Sequence, residues 1–427
     1  MIAVVGGGIT GLTLGWELAR RDADFVVLEA SGRPGGVIRS AEVEGRILDW
    51  GPQRARLTQG VSRLVREVGL ESQVVEAPSG LDLFVFRDGR LRKVPFSAVD
   101  FLTSDIVSPT AKLRLALEPL AAGADPEESV AAYFTRKVGR ELYETLIAPL
   151  YGGLYGSDPA DMRVGLSLIH VLREFGVKRS LLLPLLRKGG KIAPPPACTF
   201  RDGMAALPRA VAAALGGRLR LETPVRGLQP HGSGWRLELE DGSVDAQAVV
   251  LSVPAPVASR LLAGVATEAS RAIGSLRYNP LAVIHLDAET ELRGLGFQVA
   301  FTEPHMQLRG VTYNDSLFGR RDLYTAYLGG ARHPEVAGAG DEELAARAVE
   351  EFRLCTGYEA RPLAVEHERM PAWDVSWGAL EGLTLPEGLH LAANWWSRPG
   401  LPGRLADAGR VAARLTGDRE GGRRSVA

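Results

Sequence analysis

At 427 residues the chain is too long for a single hydrophobic core, and with 45% apolar residues it has ample material for two or three domains. Its 50 basic and 51 acidic residues leave a formal net charge of -1, without the basic surplus of a nucleic-acid binder. The two cysteines, Cys198 and Cys355, are too few and too far apart for a disulfide framework or a zinc site and fit a reducing cytoplasm, and no apolar run reaches the roughly 20 residues that span a bilayer, so any membrane contact is expected to be peripheral.

The first predicted element is a strand over Ile2 to Val5, short and apolar enough for burial on both faces, and so close to Met1 that no leader segment is expected. A helical pattern follows, with Leu12, Leu14, Leu18 and Ala19 apolar and Glu17, Arg20 and Arg21 polar. Between them Gly6, Gly8 and Gly11 fit GxGxxG: one glycine turns tightly, one admits a pyrophosphate against the backbone, and one lets helix and strand pack closely. The helix start, with Gly7, Ile9 and Thr10, then offers free amides and a dipole to the phosphates. A second strand, Phe25 to Leu28, ends at Glu29 and Ala30, where a carboxylate accepts hydrogen bonds from both ribose hydroxyls and repels a 2′-phosphate. NADP is thereby disfavoured, while NAD and FAD both remain open. Arg33, Gly35 and Gly36 separate them. A nicotinamide enzyme has no fixed need for RxGG here, whereas a longer flavin dinucleotide running past the turn needs a cation and bare backbone.

This stretch resembles the N-termini of the FAD-dependent amine oxidase, carotene desaturase and protoporphyrinogen oxidase superfamily, which carry the same glycine turn followed by EAxxRxGG. LDWGP, Leu48 to Pro52, is similar to the Gly-Pro turn these flavoproteins bring back beside the flavin, and adds Gly51, Pro52 and Gln53 to the expected cofactor site. The resemblance implies an α/β fold: a Rossmann-like FAD-binding domain with an inserted mixed-sheet substrate domain and a helical subdomain.

Further along, Gly80 to Pro95 reads as a hairpin around Arg87-Asp88-Gly89-Arg90, and a helical stretch runs from Pro109 to about Leu150. Thr199 to Val253 returns to an α/β pattern, with LRLETPVRGLQ as a strand and Val225 where the superfamily lays backbone along the adenine end of FAD. From Leu281 to about Tyr358 strands dominate, followed by a helix over Asp341 to Cys355. The last unit is a strand, Leu389 to Ala393, a Gly/Pro turn and a helix ending near Leu415, before a polar tail after Thr416. Superfamily members end on such a unit with the helix start aimed at the flavin ring, which implies Asn394, Gly400, Leu401 and Pro402 as its neighbours. The expected division is 1–80, 196–275 and 369–427 for the FAD-binding domain, 81–195 for the helical, membrane-facing type of subdomain, and 276–368 for the substrate sheet.

Tyr133 to Val164 narrows the resemblance. It is similar to the protoporphyrinogen oxidase pattern FxxRxGxE, P, GxYxGDPxxL, matched by Phe134, Arg136, Gly139, Glu141, Pro149, Gly153, Tyr155, Gly156, Asp158 and Pro159, with one extra residue before Gly139 and Ser157 in place of a glycine. TFRDGMAALPRAV and LSVPAPVASRLL are similar to further stretches of that family. By resemblance the chain is expected to hold FAD non-covalently and to oxidise protoporphyrinogen or coproporphyrinogen III to the porphyrin, with oxygen as acceptor and hydrogen peroxide as product, in haem biosynthesis. Amine oxidase and carotenoid desaturase are the alternatives. The flavin carries the chemistry, so no catalytic side chain and no metal is expected. Arg54, Arg136 and Arg173 are candidate partners for the substrate's propionates, and ferrochelatase is a candidate receiver of the product. Val177 to Lys191 reads either as a basic rim for an anionic membrane surface or as a buried helix whose periodicity Pro184 breaks. One departure is clear: the family's IPQYxxGH reads Met370-Pro371-Ala372-Trp373-Asp374-Val375-Ser376-Trp377.

Overall fold

Strands without a polar face must be covered on both sides, and Ala3 to Val5 and all of Phe25–Leu28 are buried. In the computed structural model, which describes residues 1–187 and 195–417, these two strands are central in a wholly parallel five-stranded sheet. Its order is Leu219–Arg220, Phe25–Leu28, Ile2–Val5, Ala248–Leu251, Leu389–Leu391, with Ile2 beside Phe25 on one side and Ala248 on the other. Helices Ile9–Ala19, Gln59–Glu67, Ala206–Leu215 and Leu401–Thr416 share one apolar cluster, in which Leu12, Leu18, Val61, Leu64, Val211, Ala408 and Val411 meet. Residues 1–76, 195–276 and 379–417 pack as one compact unit, and 77–187 and 277–378 as a second.

The helix Ile9–Ala19 does not keep the solvent-facing side its pattern implies, because every residue from Thr10 to Leu18 is buried. Glu17 is tolerated there because three guanidiniums neutralise it: Arg21, Arg63 at 3.0 Å and Arg20 at 3.3 Å. Arg20 and Arg63 also lie over the Trp16 ring, each 5.1 Å from its centroid.

The second unit is built on a seven-stranded mixed sheet ordered Arg361–Pro371, Tyr278–Asp287, Leu323–Gly329, Leu308–Tyr313, Gly296–Val299, Leu83–Arg87, Arg90–Lys93. All neighbours are antiparallel except Gly296–Val299 with Leu83–Arg87. The expected hairpin is therefore present, but it extends the sheet rather than opening a purely helical segment. Arg361–Pro371 pairs along Tyr278–Asp287 as far as Pro371 opposite Tyr278, so residues 369–378 stay with this unit instead of opening the final cofactor-binding part. The helix Asp341–Thr356 covers one core through Leu344, Ala348 and Phe352.

The helical part has a core of its own, formed by Val130, Tyr133, Leu142, Met162 and Leu172 among others. Its first stretch is not continuous. Pro109–Ala116 is separate, Val130–Val138 stops where Gly139 takes φ +90°, and a π-helical turn, Tyr143–Ile147, leads into Ala148–Tyr155. Pro184 lies in the first turn of the helix Leu182–Arg187, where a missing N–H costs nothing, and so does not break it. Lys188 and Lys191 of the expected basic rim lie outside the described residues, as does the polar tail from 418 on.

A fully buried ion pair anchors this segment. Lys137 Nζ is 2.6 Å from Glu118 Oε1, both side chains are sealed from solvent, and Glu118 also accepts hydrogen bonds from Ser180 Oγ at 2.5 Å and Leu181 N at 2.9 Å. Burial alone would raise the Glu118 carboxyl, but the hydrogen bond from Lys137, with those from Ser180 and Leu181, holds it below its ordinary value. Such a group stabilises the fold above its unfolded pKa of about 4.3 and loses that contribution as pH falls through the folded value. Stability followed by denaturant unfolding is expected to decline from about pH 5 downward, less steeply in Glu118→Gln/Lys137→Met. Lys137→Met alone, leaving a buried charge unpaired, is expected to cost about 3–5 kcal/mol at neutral pH, and the double variant to recover much of it.

Candidate cofactor site

The glycine turn is shaped by close backbone approaches. Gly6 has φ +110°, and a Cβ there would lie 2.5 Å from Ser252 O; a Cβ on Gly11 would lie 2.0 Å from Gly6 O. Strand and helix pack at a distance only glycine permits. Gly8 differs, because a Cβ there meets nothing nearer than Gly36 Cα at 4.0 Å. Gly8 pairs with Gly35 as an isolated bridge, and Gly35 N donates to Gly7 O at 2.8 Å, so the RxGG segment lies along the glycine turn with bare backbone on both sides. Ile9 and Thr10 open the helix, and Gly8 stands at its N-cap without a side-chain cap, leaving the helix start to a ligand.

Glu29 is held in place by its own neighbours. Its Oε2 accepts from Gly7 N at 2.6 Å, and its Oε1 accepts from Ser31 N at 2.9 Å and Ser31 Oγ at 2.7 Å. Sequence reading missed Ser31, although a serine two residues after an acid is the spacing of a local side-chain turn. Ala30 and Arg33 are exposed beside it. LRLETPVRGLQ is not one strand: after Leu219–Arg220 the chain bends at Glu222, φ +52°, because Glu222 N donates to Ser31 O at 3.0 Å and Thr223 N to Glu29 O at 2.8 Å. These bonds put the half-buried Val225 two residues beyond the Glu29 backbone.

The LDWGP turn is held from beneath. Buried Asp49 Oδ1 accepts from Ser40 Oγ at 2.5 Å and from Met204 N at 2.8 Å, while Ala205 N donates to Ser40 Oγ at 2.9 Å. Asp49 thus ties this turn to the start of the helix Ala206–Leu215, a link no spacing rule shows. Gly51 takes φ +83° with its Cβ position 2.5 Å from Val37 O. Pro52 is exposed; Gln53 is buried, and its amide donates to Asp49 O at 2.5 Å, so this side chain supports the turn.

At the other end of the chain, Ala392 N donates to Leu251 O at 3.0 Å, continuing Leu389–Leu391 along the sheet. Gly400, φ +84°, precedes the helix Leu401–Thr416, with Leu401 and Pro402 half-buried in its first turn. Arg404 reaches back to Asn394 O at 2.5 Å and Ser397 O at 3.0 Å, bracing the loop between. This helix packs on Ile9–Ala19, and both follow strands of one parallel sheet, so both begin at its same edge.

A bare-backbone cradle at Gly8 and Gly36, an uncapped helix start and a braced carboxylate fit an elongated dinucleotide: the chain has the site of a dinucleotide-binding flavoprotein. It belongs to the family of flavin containing amine oxidoreductases, whose model matches residues 9–414. Its cofactor is FAD, and it is an FAD-dependent oxidase. It is 29% identical over 385 residues to protoporphyrinogen oxidase 1, chloroplastic, of Spinacia oleracea, covering 80% of this chain and 68% of that one. With protoporphyrinogen oxidase of Bos taurus it shares 27% identity over 77% of each chain. Among solved structures, an Exiguobacterium sp. 255-15 protein provisionally assigned as a protoporphyrinogen oxidase superposes with a TM-score of 0.80 at 20% identity, over 98% of this chain and 99% of that one. Cyclohexylamine oxidase from Brevibacterium oxydans IH-35A gives 0.70 at 16% identity, over 98% and 99%. These structures share the fold.

The candidate substrate cations are placed unequally. Arg136 serves the scaffold: Nη2 pairs with Glu128 Oε1 at 2.6 Å and donates to Gly123 O at 3.0 Å, Nη1 donates to Ala122 O at 2.8 Å, and the guanidinium lies over Tyr133. Arg54 is half-buried after the Gly-Pro turn, and Arg173 is exposed on the helix Ile169–Glu174.

Two variants separate folding from cofactor retention. Gly11→Ala is expected to disrupt the strand-helix contact and lose both far-UV helicity and flavin. Gly8→Val has space for its Cβ, so it is expected to keep the circular dichroism spectrum while purifying with at least about tenfold less flavin absorbance per protein.

Proposed function

We propose that this protein oxidises a porphyrinogen, protoporphyrinogen IX or coproporphyrinogen III, to the corresponding porphyrin in haem biosynthesis, with oxygen as terminal acceptor and hydrogen peroxide as product. The observation that carries this reading is the name shared by the plant and mammalian relatives, aligned over 77–97% of this chain. When bound, FAD supplies acceptance of a hydride from a bridging carbon; a pyrrole proton leaves to water, and aromatisation provides the driving force. What the chain contributes is electrostatic and positional. The cofactor residues are those of the glycine turn, Glu29, the RxGG and Gly-Pro segments, Val225 and the final turn. With FAD bound, the uncapped start of Leu401–Thr416 would be the positive helix end available to stabilise charge on the reduced ring.

A non-covalent cofactor is consistent with the cysteines. Cys198 and Cys355 are both buried; burial pushes the Cys198 thiol up to about 11 and the Cys355 thiol further still, so neither offers a thiolate for a flavin linkage. The feature of this chain that favours the amine-oxidase alternative is the pair of adjacent aromatics Trp395-Trp396. Trp395 is fully buried, donates from Nε1 to Val253 O at 2.8 Å and meets Trp396 at 73°, which is not the arrangement of two parallel walls around an amine.

We assign the protein to the cytoplasm with peripheral membrane contact, and its product to ferrochelatase. No helix among the described residues is long and apolar enough to cross a membrane. Val99 and Leu102 on Ala98–Thr103, and Leu113 on Pro109–Ala116, are 67–73% exposed and supply an apolar face for such contact. The purified holoprotein is expected to turn colourless porphyrinogen fluorescent with matched oxygen uptake and peroxide release. No turnover of either porphyrinogen above the spontaneous rate would refute the reading.

A further inference from the structure

Arg309, in the strand Leu308–Tyr313, is half-buried with its guanidinium against Phe301, Cζ lying 5.3 Å from the ring centroid. Arg332 lies against the same ring at 4.2 Å and is anchored: Nη1 donates to Phe301 O at 3.3 Å, and Nε is 3.8 Å from Asp158 Oδ2. Asp158 belongs to the Ser-Asp-Pro turn of the resemblance. Its other oxygen accepts from Ala160 N at 2.9 Å, and Gly156 O in that turn accepts from Ala331 N at 2.9 Å, so the motif positions Arg332.

Arg309 has no such anchor. Its side-chain hydrogen bonding is one long contact, Nη1 to Met306 O at 3.4 Å, and it makes no ion pair among the described residues. A rigid fork of five N–H donors is thus almost unused. Burial and the Arg332 charge push Arg309 down to about 10, which still leaves it cationic at neutral pH. The carboxylates it senses are engaged elsewhere, Asp158 with Arg332 and Glu351 with the backbone N–H groups of Gln307 at 3.2 Å and Leu308 at 2.7 Å. Two guanidiniums held at one ring, short of counter-charge and with donors to spare, are a preorganised anion site.

We propose that Arg309 and Arg332, set against Phe301, form a carboxylate-recognition patch, and, resting on the porphyrinogen reading, that a propionate arm of the substrate occupies it. Arg309 presents the two-pronged donor, Arg332 adds charge, and Phe301 is the ring both guanidiniums lie against. No bond forms or breaks at the patch, so its effect falls on KM rather than kcat.

The test compares wild-type holoenzyme with Arg309→Gln, Arg309→Lys and Arg332→Lys on coproporphyrinogen III and its tetramethyl ester. Arg309→Gln is expected to raise KM for the acid about tenfold or more, leave kcat within about twofold and leave the ester unaffected, with Arg309→Lys recovering part of the loss. An unchanged KM, or an equal rise for acid and ester, overturns the propionate assignment. Equilibrium titration with sodium succinate and with inorganic phosphate supplies a readout independent of turnover. Arg309-dependent succinate binding by a wild type that turns over no porphyrinogen supports the patch while refuting the porphyrinogen reading. Equal affinity for succinate and phosphate marks a site for free anions and overturns carboxylate recognition, as does the absence of succinate binding by the wild type.

Discussion

One hydrogen bond, from the Gly7 amide to Glu29 Oε2 at 2.6 Å, joins the ends of two adjacent strands, and the geometry of the first unit depends on it. It fixes how far the Glu29 carboxylate stands from the start of the helix Ile9–Ala19. The bond can form because Gly6 and Gly11 let the helix sit hard against the strand, and because Gly7 itself has no side chain: a Cβ there would be 2.8 Å from Glu29 Cβ. The same closeness lets RxGG lie on the turn and lets Leu401–Thr416 pack on Ile9–Ala19. Geometry acceptable only to glycine in one short segment therefore sets positions drawn from both ends of the chain.

Those features were legible in the sequence for a physical reason. Where backbones approach within a Cβ radius, residue identity records the geometry, so the glycine turn, the RxGG segment and the closing strand-turn-helix could be read locally. Glu29 was legible because its place follows the end of a strand. Contacts made by ordinary residues across long separations left no such record. Ser40 and Met204 look unremarkable in the chain, yet through Asp49 they lock the strand pair Arg39–Val43 and Arg46–Trp50 to the segment before the helix Ala206–Leu215. Glu17 read as solvent-facing because three arginines that neutralise it, one of them at position 63, are not visible from helical periodicity alone. The parallel pairing of Leu83–Phe86 with Gly296–Val299 joins segments about two hundred residues apart, and only tertiary structure can express it.

Family-marking residues in the second unit turn out to be largely architectural. Arg136 closes backbone carbonyls, and Glu141 accepts from Ser108 N at 2.8 Å and from Arg87 at 3.2 Å. The divergent stretch at Met370 to Trp377 is also well supported: Trp373, at φ +51°, stacks on Trp377 at 5.3 Å, and Asp374 pairs with Arg277 at 2.8 Å. A motif can therefore identify a lineage through scaffold chemistry.

The order in which the strands are threaded carries a consequence for biogenesis. The parallel sheet uses strands from residue 2 to residue 391, and the mixed sheet uses strands from residue 83 to residue 371. Neither can close while the C-terminal third is still in the ribosome, so a nascent chain must carry unpaired strand edges and uncovered apolar surface through most of its synthesis. Yield in a cell should consequently depend on how well that interval is shielded by chaperones.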